Sequence, residues 1–231
     1  MNYDELLEAF SAYGFLDDGK IDLLKKYADH LIEENKKYNL TAITEVDEIV
    51  EKHFYDCMLP LKETDLHGKS LLDVGSGGGF PGLVYAILFP DCSITLMDAT
   101  AKKCRFLEET SALLHLKNVK VINSRAEDYK SREAFEIVTA RAVASMSKVL
   151  EITVPFACVN GTILLLKGAK GEDELKESEK AVRILNIELF YAQRCELQNG
   201  DQRINYFFKK KAVTPLKYPR AWKDISSKPL S

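Results

Sequence analysis

Leu71-Leu72-Asp73-Val74-Gly75-Ser76-Gly77-Gly78-Gly79-Phe80-Pro81-Gly82 decides the fold of this chain. A short apolar run from Ser70 meets a carboxylate, Asp73, and then four glycines within five residues. Phe80-Pro81-Gly82 follows and leads into the apolar segment 83–89, so the grammar is strand, tight turn, helix. A second apolar run, 93–97, ends on Asp98. A glycine-rich first turn with an acidic residue about 20 positions on is the pattern of a nucleotide-type cofactor on a doubly wound sheet. The glycines let backbone approach a ligand, and the later carboxylate accepts hydrogen bonds from ribose hydroxyls.

Outward from this turn, strands and helices alternate. Strand 70–74 precedes helix 80–89, strand 93–97 precedes helix 101–115, and strand 119–123 follows. Then come strand 135–140, helix 146–157, strand 160–166, helix 172–185 and strands 187–195 and 203–210. Such alternation predicts an α/β fold with a mostly parallel sheet covered on both faces. Asn199-Gly200 marks a hairpin between the last two strands. Ahead of the turn, 4–13, 20–38 and 46–61 read as helices; Ile21, Leu24, Ala28, Leu31 and Ile32 share one face of the second. The expected organisation is an N-terminal helical extension, 1–62, packed on the sheet; a cofactor-binding domain, 63–211; and a basic tail, 212–231. Pro215, Pro219 and Pro229 argue against regular structure in that tail.

The 231 residues suit one domain with an extension, and 46% hydrophobic with 29% charged residues is ordinary for a globular protein. No stretch approaches the length of a membrane span and no basic-then-apolar leader opens the chain, so the expected location is the cytoplasm. Five cysteines (57, 92, 104, 158 and 195) form no CxxC pair, which offers neither a zinc knuckle nor a redox motif; no metal site is expected. The net charge of -3 hides an asymmetry: residues 1–70 carry sixteen acidic and eight basic side chains, whereas from Arg203 onward eight basic residues face one acid, Asp224. A basic end beside an acidic head suits a polyanion docking on one face.

The choice of cofactor turns on Phe80. Gly75, Gly77 and Gly79 alternate, but the third glycine of a dinucleotide fingerprint is replaced by Phe80, whose bulk would crowd a pyrophosphate. A ligand without phosphates, such as S-adenosylmethionine, suits the turn better, with Asp73 answering its ammonium group and Asp98 its ribose. Asn123-Ser124-Arg125-Ala126-Glu127-Asp128 follows the third strand where an adenine would sit, and the fourth strand ends at Arg141. Four consecutive strand ends thus carry ligand-type residues to the carboxyl edge of one sheet.

With these blocks in view, the chain resembles the bacterial ribosomal RNA small-subunit methyltransferase G family, also called glucose-inhibited division protein B. The resemblance runs from Tyr38-Asn39-Leu40-Thr41-Ala42 through His53-Phe54-Tyr55-Asp56 and the glycine turn. It continues through Ser124 to Asp128, Ala140 to Ser145 and Leu166-Lys167-Gly168 to Tyr218-Pro219-Arg220. It implies a class I S-adenosylmethionine-dependent methyltransferase fold, Rossmann-like, with a seven-stranded sheet. It also implies methylation of N7 of a guanine in 16S rRNA near the decoding centre. By position it implies cofactor contacts from Gly75, Phe80, Asp98, Ala99, Thr100, Ala126, Glu127 and Arg141.

Guanine N7 carries a free lone pair, so this chemistry needs alignment and no general base. No catalytic residue in the strict sense is expected; Arg141, His53 and Lys167 are the candidates for positioning contacts. A packed or capping role is the competing reading of His53, and a solvated strand end that of Lys167. Lys102, Lys103, Arg105, Arg125 and Arg220 are the expected RNA contacts, with the small ribosomal subunit as partner and a monomeric protein. Tyr218 and Trp222, between basic residues, either stack on bases or fold back on the sheet. The rival classes are a nicotinamide-dependent oxidoreductase, a small-molecule methyltransferase and a non-catalytic RNA-binding assembly factor.

Overall fold

A computed structural model describes residues 1–231. Its centre is a seven-stranded sheet in the order β3-β2-β1-β4-β5-β7-β6. The strands are β1 (Ser70–Val74), β2 (Ser93–Asp98), β3 (Val119–Asn123), β4 (Phe135–Arg141), β5 (Ala157–Gly168), β6 (Ile187–Glu196) and β7 (Gln202–Lys210). The first five are parallel; β7 inserts antiparallel between β5 and β6. The order reverses between β1 and β4, which opens a crevice at their carboxyl ends.

Alternation along the strands sends side chains into two cores. Leu71, Ile94 and Ile137 join one cluster, while Leu72, Val74, Met97 and Val138 join the other. The first cluster is roofed by the N-terminal helices α1 (Tyr3–Phe10) and α2 (Asp18–Tyr38), by the helical segment 46–62, and by α5 (Gly82–Leu88) and α6 (Ala101–Leu113). Segment 46–62 consists of α3 (Val46–Ile49), a π-helical turn (Val50–Tyr55), α4 (Asp56–Met58) and a 3-10 turn (Leu59–Lys62). One hydrophobic core therefore runs across residue 62, from Leu6 and Phe10 to Leu83 and Ile94. The second face carries α7 (Met146–Thr153), α8 (Gly171–Lys176), α9 (Glu179–Ile184) and α10 (Trp222–Ser227).

Several boundaries differ from the sequence reading for local reasons. The Asp17 side chain accepts from the Lys20 amide and starts α2 at Asp18, although Gly19 obscures that first turn. β5 begins at Ala157 and passes through the turn-like pair Asn160-Gly161, where Asn160 has φ 65° and the pairing with β4 shifts. The expected helix 172–185 is two helices broken at Ser178, whose hydroxyl donates to the Glu174 carbonyl. The tail is not irregular throughout. Tyr218, Ile225 and Leu230 are buried in the second core, and α10 packs on α7.

The glycine turn is pinned from three sides. The Gly75 and Ser76 amides both donate to the Met97 carbonyl of β2, at 2.8 and 3.0 Å. Asp73 lies beneath the turn, fully buried, and accepts from the Gly82 amide at 3.1 Å, while the Ser76 hydroxyl donates to its carbonyl oxygen. From α2, the Tyr27 hydroxyl donates to the Gly78 carbonyl. At Gly82 the helix backbone comes so close to the sheet that a Cβ would lie 2.2 Å from Leu96 Cδ2 and 2.7 Å from Asp73 Oδ2. Gly82→Ala is accordingly expected to destabilise the fold by about 1–3 kcal/mol, the usual cost of overpacking a closed core; urea unfolding of the purified variant measures it.

Candidate functional site

Two cavities open side by side at the carboxyl ends of the parallel strands. The smaller, about 160 Å³, lies over the ends of β1, β2 and β3. Val74, Gly75, Met97, Asp98 and Ala99 form one side, Arg125, Ala126 and Glu127 the rim, and Ile152 and Trp222 the remaining apolar wall. The larger, about 650 Å³, lies over β4 and β5 and is lined by Lys52, His53, Asp56, Arg141, Lys167 and Arg203 among others. Val143 belongs to both cavities. A Cβ on Gly75, whose φ is 76°, would stand 2.6 Å from Val143 Cγ2, so only glycine lets these two segments meet.

The smaller cavity gathers most of the expected cofactor residues. Gly75, Asp98, Ala99, Ala126 and Glu127 line it; Thr100 lies next to it through its amide, which donates to Asp98 Oδ1 at 2.8 Å. Asp98 Oδ2 accepts from the Gly77 amide at 3.0 Å, so its carboxylate locks the turn to the end of β2 while keeping a lone pair on each oxygen. Lys103 Nζ stands 4.0 Å from the same oxygen, and Arg125 pairs with Glu127 at 3.6 Å. Lys102 and Arg105 are exposed on α6.

Phe80 and Arg141 stand elsewhere. The Phe80 ring turns away from the turn into the N-terminal helices. It stacks on Tyr27 at 5.4 Å and on His53 at 4.2 Å, and lines neither cavity. The argument that its bulk crowds a pyrophosphate therefore does not hold. Asp98 and Glu127 face the small cavity as acceptors for ribose hydroxyls, a need shared by every nucleoside-containing cofactor. Asp73, expected to meet an ammonium group, is sealed under the turn, and burial pushes its carboxyl up to about 7.

Arg141 faces the larger cavity and is bound from the side of α4. Its guanidinium donates to the Lys52 carbonyl at 3.1 Å and to Asp56 Oδ2 at 3.2 Å, and lies 5.1 Å from the centre of the Phe80 ring. Its other terminal nitrogen lies 3.1 Å from His53 Nδ1, which stands at the same distance from the Lys52 carbonyl, and His53 Nε2 lies 2.9 Å from the Thr41 hydroxyl. Burial first, then the Arg141 charge, lowers the His53 pKa to about 3. His53 is thus a neutral, fully engaged ring in a packed role. Asp56 and Arg203, which the sequence reading did not single out, complete the cluster at 3.2 Å. Asp56 sits in the quoted His53–Asp56 block; Arg203 had no signal beyond its place after the hairpin.

Lys167 is not a solvated strand end. Its Nζ donates to the Ala144 carbonyl and to Glu174 Oε2, both at 2.8 Å, and the same carboxylate oxygen accepts from the Met146 amide at 2.7 Å. The pair fastens the loop 142–145 that carries Val143.

The expected basic face is also reduced. Arg220 is held inward by Glu151, a fully buried carboxylate that accepts from its Nε at 2.7 Å and from Nη2 at 2.6 Å. Lys210 is buried and donates to the Val154 and Ala157 carbonyls. Of the other expected RNA contacts, Arg125 lines the small cavity, Lys103 stands near Asp98, and Lys102 and Arg105 are exposed on α6.

The family model described as rRNA small subunit methyltransferase G (GidB) matches residues 20–204. The chain belongs to this family. Among its relatives, the ribosomal RNA small subunit methyltransferase G of Lactococcus lactis subsp. cremoris is 41% identical over 95% of either chain. That of Leuconostoc citreum is 38% identical over the full length of both. Solved structures agree in fold. A ribosomal protein L11 methylase from Lactobacillus delbrueckii subsp. bulgaricus superposes with TM-score 0.56 at 15% identity, over 70% of this chain and 80% of its own. A SAM-dependent methyltransferase from Aquifex aeolicus gives 0.54 at 16%, over 76% and 97%. As a family member the chain is an enzyme, a methyltransferase of class I fold. No helix in it is long and apolar enough to cross a membrane.

The buried imidazole makes the stability of this family member pH-dependent in a defined sense. An unfolded chain takes up a proton at His53 near pH 6.5, whereas the folded one does so only near 3. The contribution is complete above about pH 6.5 and is lost as pH falls toward 3. Asp73, raised to about 7, acts in the opposite sense, so the comparison must be made against a His53 variant. Between pH 7 and 5 the wild type is expected to lose about 2 kcal/mol more than His53→Gln, read from urea midpoints at the two pH values.

Proposed function

We propose that this enzyme transfers the methyl group of S-adenosylmethionine to N7 of one guanine of 16S rRNA, near the decoding centre of the small ribosomal subunit. The observation that carries the reading is the pair of adjoining cavities in a member of this family. The smaller has an apolar wall for a base and two carboxylates for ribose hydroxyls; the larger is lined by Lys52, Arg141, Lys167 and Arg203 interleaved with Asp56, Glu174 and Asp201. When bound, the sulfonium supplies an electrophilic methyl group to the acceptor.

The chain's own residues then have orienting tasks. Asp98 and Glu127 hold the ribose end, with Gly75, Ala99, Thr100 and Ala126 as the close backbone walls. Arg141, kept cationic and fixed by Asp56, marks the wall of the larger cavity where guanine O6 or a phosphate is recognised. Its charge is aimed at a neighbouring oxygen and away from N7, which becomes cationic on methylation. Lys167 holds the loop 142–145 at the junction of the cavities. His53 serves by packing on Phe80 and fixing Arg141. With its pKa near 3 and both nitrogens engaged, it is no proton acceptor at neutral pH. A guanine N7 needs none, because it has no proton to lose. Rate acceleration then comes from alignment.

Lys102, Lys103, Arg105 and Arg125 offer the charge that meets RNA phosphates beside the cofactor cavity; Arg220 acts inside the protein. The enzyme works as a monomer in the cytoplasm, with the folded subunit contributing the rest of the recognition.

Small subunits lacking their N7 mark, incubated with labelled S-adenosylmethionine, should accept label at a single guanine N7 of 16S rRNA. Absence of transfer to subunits and to free RNA would overturn the assignment. Lys102→Glu combined with Arg105→Glu should weaken RNA binding and make the logarithmic salt dependence shallower by about two charges. Cofactor affinity, measured by calorimetry, should stay the same.

A further inference from the structure

The C-terminal tail passes the site and gives one residue, Trp222, to the lining of the smaller cavity. Its course is set by two arginines that look outward in the sequence and bind inward in the fold. Arg132 donates to the carbonyls of Tyr218 and Thr214, at 2.6 and 2.9 Å. Arg220 grips buried Glu151 of α7 through both side-chain and backbone nitrogens. Tyr218, Ile225 and Leu230 then seat the tail in the second core. With those anchors in place, the first residue of α10, Trp222, is left half-buried as part of the wall of the smaller cavity, beside Ile152.

We propose that Trp222 is the stacking wall for the adenine of S-adenosylmethionine, so that the tail 212–231 is a working part of the cofactor site. The inference rests on the cofactor assigned above and adds a binding residue to it. The lining is mixed in chemistry, with Ser124 and Arg125 among its polar members. Asp98 and Glu127 suit the hydroxyls of a ribose, while Val74, Met97, Ile152 and Trp222 offer no polar partner except the indole N–H. A flat base with two π-faces fits such a wall, and aromatic stacking is how proteins commonly hold a single base. Trp222 lines the nucleoside side and not the larger cavity, which favours the cofactor's base over a base of the RNA.

Trp222 is the only tryptophan of the chain, so its emission reports this one position. Titration of the wild-type protein with S-adenosylhomocysteine should change tryptophan fluorescence saturably, with a midpoint equal to the Kd from calorimetry. Adenosine should give the same change and methionine none. Trp222→Ala should weaken S-adenosylhomocysteine and adenosine by the same factor, about tenfold, and Trp222→Phe should recover most of the loss. Calorimetric binding with silent fluorescence, or an unchanged Kd in Trp222→Ala, would overturn the stacking role and leave the cofactor assignment standing. Fluorescence that answers to RNA and not to S-adenosylhomocysteine would move the residue to the RNA. No binding of S-adenosylhomocysteine to the wild type would overturn both readings. The wild-type titration decides the matter even if a variant fails to fold.

Discussion

The guanidinium of Arg141 is a largely enclosed cation at the end of a central strand, reached by solvent only from the larger cavity, and the site is organised around keeping it there. A buried charge is tolerated only when its partners are close and well directed. Here they come from Asp56, the Lys52 carbonyl, the His53 ring and the face of Phe80. All four belong to segments that precede or form the glycine turn. The N-terminal helices are therefore tied to the sheet by electrostatics as well as by apolar packing. Tyr27, donating to the Gly78 carbonyl, extends the same bond to the turn itself. The wall of the larger cavity and the position of the glycine turn are two ends of one network.

The fold was legible because its decisive signals are local. Glycines at a strand end, Asp98 at the next, and alternating strand and helix patterns need no knowledge of distant contacts. Gly75, Asp98, Ala99, Ala126 and Glu127 converge on one cavity because each sits at the carboxyl end of a neighbouring strand or just past one. Legibility stopped where a side chain had a choice of direction. Phe80 follows the turn, and only the presence of Tyr27, Phe54 and His53 above it explains why the ring leaves the crevice. Arg220 and Lys210 have the composition of an exposed basic tail. Glu151 and the carbonyls of Val154 and Ala157 draw them inside.

The same limit hid the charge cluster. Asp56 and Arg203 lie far apart in the chain and meet only because β7 inserts beside β5, facing the helical segment. Trp222 was visible as an aromatic residue among basic ones, a pattern equally suited to RNA and to packing. Its seat on the small cavity depends on the two arginine anchors of the tail. Prolines in 212–231 correctly mark the absence of long helices or strands, and apolar residues at 218, 225 and 230 account for why the segment is nevertheless docked.

The insertion of β7 between β5 and β6 also gives the hairpin a mechanical link to the site. β6 pairs with no strand except β7, and Arg203 of β7 supplies a partner of Asp56, the same carboxylate that holds Arg141. The edge hairpin and the end of β4 are therefore braced through one side chain of the helical segment. A displacement of β7 is transmitted to the wall of the larger cavity although no residue between them is shared by sequence.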